Sequence, residues 1–226
     1  MGDGKYLFEL SLFGHKYGFS ENIIIQWAII FIVWLLCIIL TRKLKKLPGK
    51  RQAVAEILVE YTNNFVKSNM SEKYLDLAPY VGSLVLFLLL MNLTGLVGLE
   101  PPTMDYSVAL GMALTTFFVI QGYTIKKIGI GHYFLGYGKP VFFLLPMNIL
   151  ERVLLPVSLS LRLFGNMTAA ATIMAIIYEA LGGISFFAQL GIPVPLHAYF
   201  DVFDGTVQMI VFTMLTMINL KVIAEH

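Results

Sequence analysis

The feature that most constrains this chain is an uninterrupted apolar run long enough to cross a lipid bilayer. Residues 22–40 read NIIIQWAIIFIVWLLCIIL and contain no charged side chain. A helix needs about 20 such residues to cross a hydrocarbon core of about 30 Å. In the whole chain, 58% of residues are hydrophobic and 13% are charged, whereas about a quarter are charged in ordinary soluble domains. The sequence therefore predicts a membrane protein.

Four further apolar stretches follow, at about residues 79–99, 107–125, 141–181 and 184–223. Each of the last two is about twice as long as a simple span. Such a stretch is either a broken or re-entrant element or one long, steeply tilted helix, since ~40 residues rise ~60 Å. Prolines favour interruptions in both, through Pro146 and Pro156 in the earlier stretch and Pro193 and Pro195 in the later one.

The distribution of basic residues predicts the orientation of the chain. A cluster of cations follows the first span at once, and Lys126 and Lys127 follow the third. By the positive-inside rule these loops are cytoplasmic, so the N-terminus lies outside and the C-terminus in the cytoplasm. The first cluster comprises Arg42, Lys43, Lys45, Lys46, Lys50 and Arg51.

A different pattern follows that basic cluster, since apolar residues recur at helical spacing over about residues 52–67 with polar residues opposite. This pattern predicts an amphipathic surface helix. The predicted fold is an all-α polytopic membrane protein, with residues 1–226 forming a single membrane domain. It has about five membrane helices plus one amphipathic surface helix.

Arg162 is the charge that most requires a functional explanation. It lies in the apolar stretch LLPVSLSLRLFGNMTAAATIMAII, far from either end, and a charge within a span is costly. Ser158 and Asn166 share its helical face at i−4 and i+4, together with small residues that let another surface approach closely. The alternative is a structural salt bridge within the chain, to Asp201, Asp204 or Glu179.

The final apolar segment carries a second polar stripe. Asp201, Asp204, Gln208 and Asn219 recur on it at helical spacing. Carboxylates near the start of a membrane helix suit a hydrated cavity that draws ions from the outside surface, although solvation at the interface would also explain them. His197 is either a proton carrier or an interfacial anchor. Glu179 either borders the same cavity or simply ends its helix.

Other chemistries find no support in the sequence. It contains no phosphate-binding loop, zinc-protease motif or nucleophile elbow, and the four histidines are too dispersed to predict a metal site. The net charge of +2 is too small to indicate a nucleic-acid partner. We therefore expect no catalytic site, cofactor or metal on this chain.

The segment PVSLSLRLFGNM at residues 156–167 resembles the SLxLRLFGN signature of subunit a in the membrane sector of F-type ATP synthases. The resemblance extends over most of the chain. The other matching segments are LPGKRQAVAE (47–56), LAPY (77–80), LMNLTGL (90–96), PTMDYSVALGMAL (102–114) and VQMIVFTMLTMINL (207–220).

This resemblance implies a stator subunit whose last two helices are long, tilted and paired. They would pack against a rotating ring of c subunits, and a b subunit would form the peripheral stalk. Arg162 matches the essential arginine that faces the ring carboxylates. Ser158 and Asn166 match its polar neighbours, and Gln208 matches the facing glutamine on the last helix.

The inlet for the ion departs from the family pattern. Proton-driven relatives often carry an acid nine residues after the arginine or a histidine seven before the glutamine, and those positions are Ala171 and Asp201 here. We expect Asp201 to replace the missing acid. The sequence does not distinguish H⁺ from Na⁺, because the ligands of the ion would lie largely on the ring. The resemblance and the short N-terminal segment expected outside favour a bacterial plasma membrane, with an organelle membrane as the alternative.

Two other classes of function are compatible with the residues alone. A stand-alone secondary transporter or channel would use Arg162 as an anion or substrate site. A structural scaffold would pair Arg162 internally and tolerate its loss.

Overall fold

The computed structural model describes residues 6–12, 15–42, 44–45, 49–129, 145–182 and 191–225. The glycine-rich connection after the third span lies outside these residues from residue 130 onwards, as do residues 141–144 and 184–190 of the last two predicted stretches. The first described elements form an antiparallel hairpin, β1 (Tyr6–Leu12) and β2 (His15–Ser20), in which Leu12 is opposite His15. This hairpin was not predicted from the sequence.

All the longer elements are helices. The first is α1 (Glu21–Thr41), and α2 (Lys50–Asn69) extends the predicted surface helix by two residues at each end. A 3₁₀ turn at Glu72–Leu77 leads into α3 (Ala78–Asn92), and short 3₁₀ turns at Leu93–Val97 and Pro102–Met104 lead to α4 (Tyr106–Ile128). The long α5 spans Leu145–Gly182. The last region comprises α6 (Pro193–His197), a π-helical segment (Ala198–Asp204) and α7 (Gly205–Glu225).

Five of these regions are long and apolar enough to cross a membrane. They are Glu21–Thr41, Glu72–Val97, Tyr106–Ile128, Leu150–Gly182 and Pro193–Ala224. The prediction of five membrane helices and one surface helix is therefore confirmed. We call the last of these regions, Pro193–Ala224, the final span.

The interruption predicted at Pro156 is wrong, because α5 continues through this residue. Proline removes one backbone N–H donor and normally kinks or ends a helix. In a membrane helix the loss is tolerated when neighbouring helices hold the segment in place. Pro156 is buried, and α5 packs along α4. Pro146 is near the start of α5 and does not interrupt it either.

The later stretch is interrupted where its prolines predict. Gly191 is helical, Ile192 is a bend, and α6 begins at Pro193. Backbone N–H groups in the first turn of a helix have no partner within the helix, so proline is well tolerated there. The described part of the earlier stretch is one long helix, and the later stretch is helical from Pro193 onward.

Two apolar clusters hold the bundle together. One joins α3, α4, α5 and α7 through residues such as Leu88, Ala113, Leu163 and Phe212, and the other joins α2 and the adjacent turn to α7. Ala109 and Ala113 are fully buried, and such small side chains let neighbouring helices approach closely. By contrast, α1 is attached mainly through Ile25 and Ile29. The result is a compact group of α3, α4, α5 and α7 with α1 at its edge.

Candidate functional site

Arg162 lies on α5 in a groove of about 410 Å³. The groove is formed mainly by the first half of α5 and is completed by Leu215 and Asn219 of α7. Its polar lining consists of Glu151, Ser158, Arg162 and Asn219, and its other walls are apolar. Thus Arg162 shares a mostly apolar groove with one carboxylate, one hydroxyl and one amide, toward the start of α5 and the end of α7.

The continuous helix gives Ser158, Arg162 and Asn166 the common face expected from their spacing. Asn166 is one turn beyond the arginine, where its Nδ2 donates a hydrogen bond of 2.9 Å to Oε1 of Gln208. Gln208 is only 3% exposed, and its Nε2 has no hydrogen-bond partner among the described residues. This amide pair is a polar link between α5 and α7.

A second polar group lies toward the opposite end of these helices. His197 Nδ1 is 2.8 Å from Asp201 Oδ2, and His197 Nε2 is 3.1 Å from the Tyr178 hydroxyl. In a neutral imidazole one ring nitrogen donates and the other accepts. The arrangement therefore assigns Nδ1–H as the donor to the carboxylate and Nε2 as the acceptor from tyrosine.

Gly95 packs directly against this second group. A Cβ atom added at Gly95 would lie 2.9 Å from Cγ of Asp201 and 3.0 Å from each carboxylate oxygen. Any larger residue at position 95 would therefore displace the carboxylate. Asp201 is also well enclosed, with 14% of its side chain exposed.

The remaining predicted site residues are Asp204, Glu179 and Asn219. Asp204 is partly buried at the end of the π-helical segment, and Glu179 is exposed next to Tyr178 on α5. Asn219 donates its amide to the carbonyl of Leu215 within its own helix. Nothing brings Asp204 or Glu179 into hydrogen-bond contact with Arg162 in the described part of the chain.

An internal salt bridge for Arg162 is not observed. Asp201, Asp204 and Glu179 all lie in described segments, and none of them pairs with the guanidinium. Asp201 pairs with His197 instead. The described portion of the chain thus leaves the charge on Arg162 without a bound counter-charge.

Sequence reasoning missed Glu151, Tyr178 and Gly95. Glu151 could have been found, because positions 151, 155, 158 and 162 follow the spacing of one helical face. Tyr178 and Gly95 gave no such signal, since each meets its partners only through contacts between distant segments. No group of acidic, histidine or cysteine residues that could hold a metal occurs in the described segments.

Comparison with known proteins gives one consistent result. A family model described as the ATP synthase A chain matches residues 23–221. ATP synthase subunit a of Moorella thermoacetica is 32% identical over 87% of this chain and 87% of its own length. The subunit a of Listeria welshimeri is 33% identical over 96% of this chain and 97% of its own length.

A third relative carries an ion specificity in its name. It is the sodium ion specific ATP synthase subunit a of Propionigenium modestum, which is 29% identical over 95% of this chain and 78% of its own length. The family match covers most of the chain, and the two relatives above 30% identity align over most of their lengths. This chain therefore belongs to the ATP synthase subunit a family.

Proposed function

We propose that this chain is the ion-translocating stator subunit of a rotary ATP synthase and that Arg162 is its essential charge. The observation that carries the proposal is the position of Arg162, an arginine without an internal counter-charge in the described structure. It is the last residue of α5 that lines one polar region, and it is separate from a second polar region. The groove with Glu151 lies toward one end of the helices. The group of Tyr178, His197 and Asp201 lies toward the other.

The separation of the two regions fits two aqueous half-channels that do not join. Along α5, Glu151 is about 16 Å before Arg162 and Tyr178 is about 24 Å after it, at 1.5 Å per residue. A cation leaving one region must therefore pass the guanidinium to reach the other. Arginine keeps its positive charge in proteins, so this shortcut is electrostatically blocked.

The counter-charge would come from a partner. A carboxylate that moves through the membrane without its ion is highly unfavourable unless a positive charge compensates it. The exposed face of α5 next to Arg162 carries Leu161, Gly165 and Ala169, which are small or apolar enough for a neighbouring helix to approach. We propose that a rotating ring of c subunits covers this face and presents one carboxylate after another to Arg162.

Ion flow and rotation are then coupled by electrostatics alone. A ring carboxylate loses its ion to one half-channel, passes Arg162 as an anion, and regains an ion from the other. One charge moving down about 100 mV releases about 2.3 kcal/mol. Ser158, Asn166 and Gln208 would orient the guanidinium, and Asn219 and Asp204 would line the half-channels together with Glu179. This chain then needs no cofactor, and nucleotide chemistry takes place on other subunits.

The proposed location is a bacterial plasma membrane, with the N-terminus outside and the C-terminus in the cytoplasm. In this orientation the groove of Glu151, Ser158 and Asn219 opens toward the cytoplasm, and Asp201 lies at the outer inlet. A b subunit of the peripheral stalk would hold the single membrane domain against rotation. The bonded His197–Asp201 pair supports H⁺ as the transported ion, since imidazole and carboxylate can pass a proton along a hydrogen bond.

Substitution of Arg162 in the assembled complex tests the proposal. In inverted membrane vesicles we expect Arg162→Ala to abolish ATP-driven acidification, and Arg162→Lys to restore little because lysine can lose its proton when buried. Lys126→Ala, which removes an exposed cation at the end of α4, is the matched control. Near wild-type acidification by Arg162→Ala, with normal assembly of the complex, would contradict the proposal.

Crosslinking tests the partner separately. A cysteine at Leu161, which is 52% exposed beside Arg162, should crosslink to a small two-helix subunit when Cys37 has been replaced by serine. A cysteine at Trp27 on α1 serves as the control. If only the control position were crosslinked to that subunit, the ring would not cover the Arg162 face.

A further inference from the structure

A basic cavity lies where α1 ends and α2 begins, away from Arg162. Its volume is about 870 Å³, within the range of about 300–1,000 Å³ typical of small-molecule sites. Four cationic residues line it, together with Gly49 and Gln52 and two apolar residues from the last turns of α1. The cations are Arg42, Lys45, Lys50 and Arg51, and the apolar residues are Ile39 and Leu40.

One side chain ties Lys45, which lines this cavity, to the start of α2. The backbone N–H of Lys45 donates to Oε1 of Gln52 at 2.9 Å, and Nε2 of Gln52 donates back to the Lys45 carbonyl at 2.8 Å. Nε2 also donates to Glu56 Oε1 at 2.8 Å. This two-way bond holds Lys45 next to the start of α2. The positive-inside rule explains why cations lie on this side of the membrane. It does not explain why the Gln52 amide holds Lys45 at a cavity lined by cations.

The positive charge in the cavity is not neutralised from within. None of the four cations forms an ion pair in the part of the chain that the structure describes. In addition, the N-cap residue of α2 is Gly49, which provides no side-chain cap, so the first N–H groups of the helix add partial positive charge next to Lys50 and Arg51. The site is therefore suited to an anion with several acceptor oxygens.

We propose that this cavity binds the head group of an anionic diacyl phospholipid such as phosphatidylglycerol. The phosphate would contact the cations, and an acyl chain would run along Ile39 and Leu40 into the bilayer. The apolar wall is what favours a lipid over free phosphate, because α1 crosses the membrane and ends at this point. The bound lipid would tie α1, at the edge of the bundle, to the surface helix α2.

Native mass spectrometry of the purified full chain tests this inference, with dioleoyl phosphatidylglycerol and dioleoyl phosphatidylcholine as probes. We expect preferential retention of phosphatidylglycerol, and a loss of at least about tenfold in its affinity in the double variant Arg42→Gln/Arg51→Gln. The matched control is Lys73→Gln/Lys126→Gln, which removes the same charge from exposed residues outside the cavity. It should bind phosphatidylglycerol as the wild type does.

A neutral substitution separates a built site from a diffuse positive surface. Gln52→Ala leaves the net charge unchanged but removes the clamp, so it should weaken phosphatidylglycerol binding severalfold. Equal effects of the two double variants, or no effect of Gln52→Ala, would overturn the proposal. So would equal retention of the two lipids, or displacement of phosphatidylglycerol by an equal concentration of inorganic phosphate.

Discussion

The imidazole of His197 connects two groups that the sequence places far apart, the Tyr178 hydroxyl on α5 and the Asp201 carboxylate in the π-helical segment. Proton transfer along a row of hydrogen-bonded groups requires each group to accept a proton and then donate one. An imidazole group is able to do both. Gly95 leaves just enough space for the carboxylate. We interpret these residues as the inlet that replaces the acid missing at Ala171.

For this inlet we predict that His197→Gln lowers ATP-driven proton pumping by at least about tenfold, because an amide can hydrogen-bond to Asp201 but cannot exchange a proton with it. Asp201→Asn should lower pumping by at least as much. The measurement is quenching of a pH-sensitive dye in inverted vesicles, normalised to the amount of assembled complex. Tyr61→Phe, at an exposed tyrosine on α2, is the control.

Unchanged pumping in both inlet variants would show that protons enter by another route. Gly95→Ala offers an independent check, since its new methyl group would push Asp201 away from His197 without changing either titratable group. We expect it to reduce pumping without preventing assembly.

On the opposite side of Arg162, we predict that Glu151→Gln slows pumping severalfold. The carboxylate lines the groove that contains Arg162, so its loss makes that half-channel less favourable for a cation. Glu60→Gln, on the exposed surface of α2, should pump normally in the same vesicle assay. Equal rates for the two variants would remove Glu151 from the ion path.

Among the helices, the contact between α3 and α7 depends on a glycine at the start of α7. Asn92 is buried and donates from Nδ2 to the Gly205 carbonyl at 2.9 Å, and its Oδ1 lies 3.5 Å from the Thr103 hydroxyl. A Cβ atom at Gly205 would lie 3.0 Å from Cβ of Asn92. This close approach occurs at the residue that directly follows the π-helical segment. Short π-helical segments are often found at functional sites. The glycine thus helps to hold the π-helical segment, with Asp201, against the turn at Leu93–Val97.

We predict that Gly205→Ala destabilises the protein by about 1–3 kcal/mol, because Cβ of Asn92 belongs to a packed helix and cannot move aside freely. Thermal unfolding of the purified full chain in detergent measures the effect. Gly122→Ala is the matched control, since a Cβ there meets no atom within 4 Å and alanine favours a helix. A midpoint for Gly205→Ala at or above that of Gly122→Ala would contradict the close packing.

For the complete subunit, the arrangement predicts two aqueous regions that reach opposite sides of the membrane. One contains Ser158 and Asn219, and the other contains His197 and Asp201. Arg162 lies between them along α5. Because each region opens to a different side of the membrane, ions cannot leak directly through the stator. The ion gradient can then drive rotation.

Cysteine labelling of oriented membranes tests this arrangement. After Cys37→Ser, we predict that Ser158→Cys and Asn219→Cys react with a water-soluble thiol reagent added from the cytoplasmic side. His197→Cys should react only from the opposite side. Ile176→Cys, on an exposed apolar position of α5, should stay unlabelled because thiolates do not form in lipid. Labelling of Ser158→Cys and His197→Cys from the same side would contradict two separate regions.

The five spans, the surface helix and the candidate arginine could all be predicted from the sequence. These features follow from local properties, namely the length of an apolar run, helical periodicity and the high free energy of a charge in hydrocarbon. The common face of Ser158, Arg162 and Asn166 follows in the same way from spacing on one helix. The prediction that Pro156 interrupts the helix was wrong, because it did not consider the packing of the neighbouring helix.

Which polar groups meet could not be predicted before the packing of the helices was known. The Asn166–Gln208 bond, the Tyr178–His197–Asp201 group and the close contact of Gly95 with Asp201 each join segments that are distant in sequence. Sequence periodicity places a side chain on a face of its own helix, but the rotation and height of the neighbouring helix decide what that face touches. Those are set by packing of the whole bundle, through buried apolar contacts that no single segment specifies.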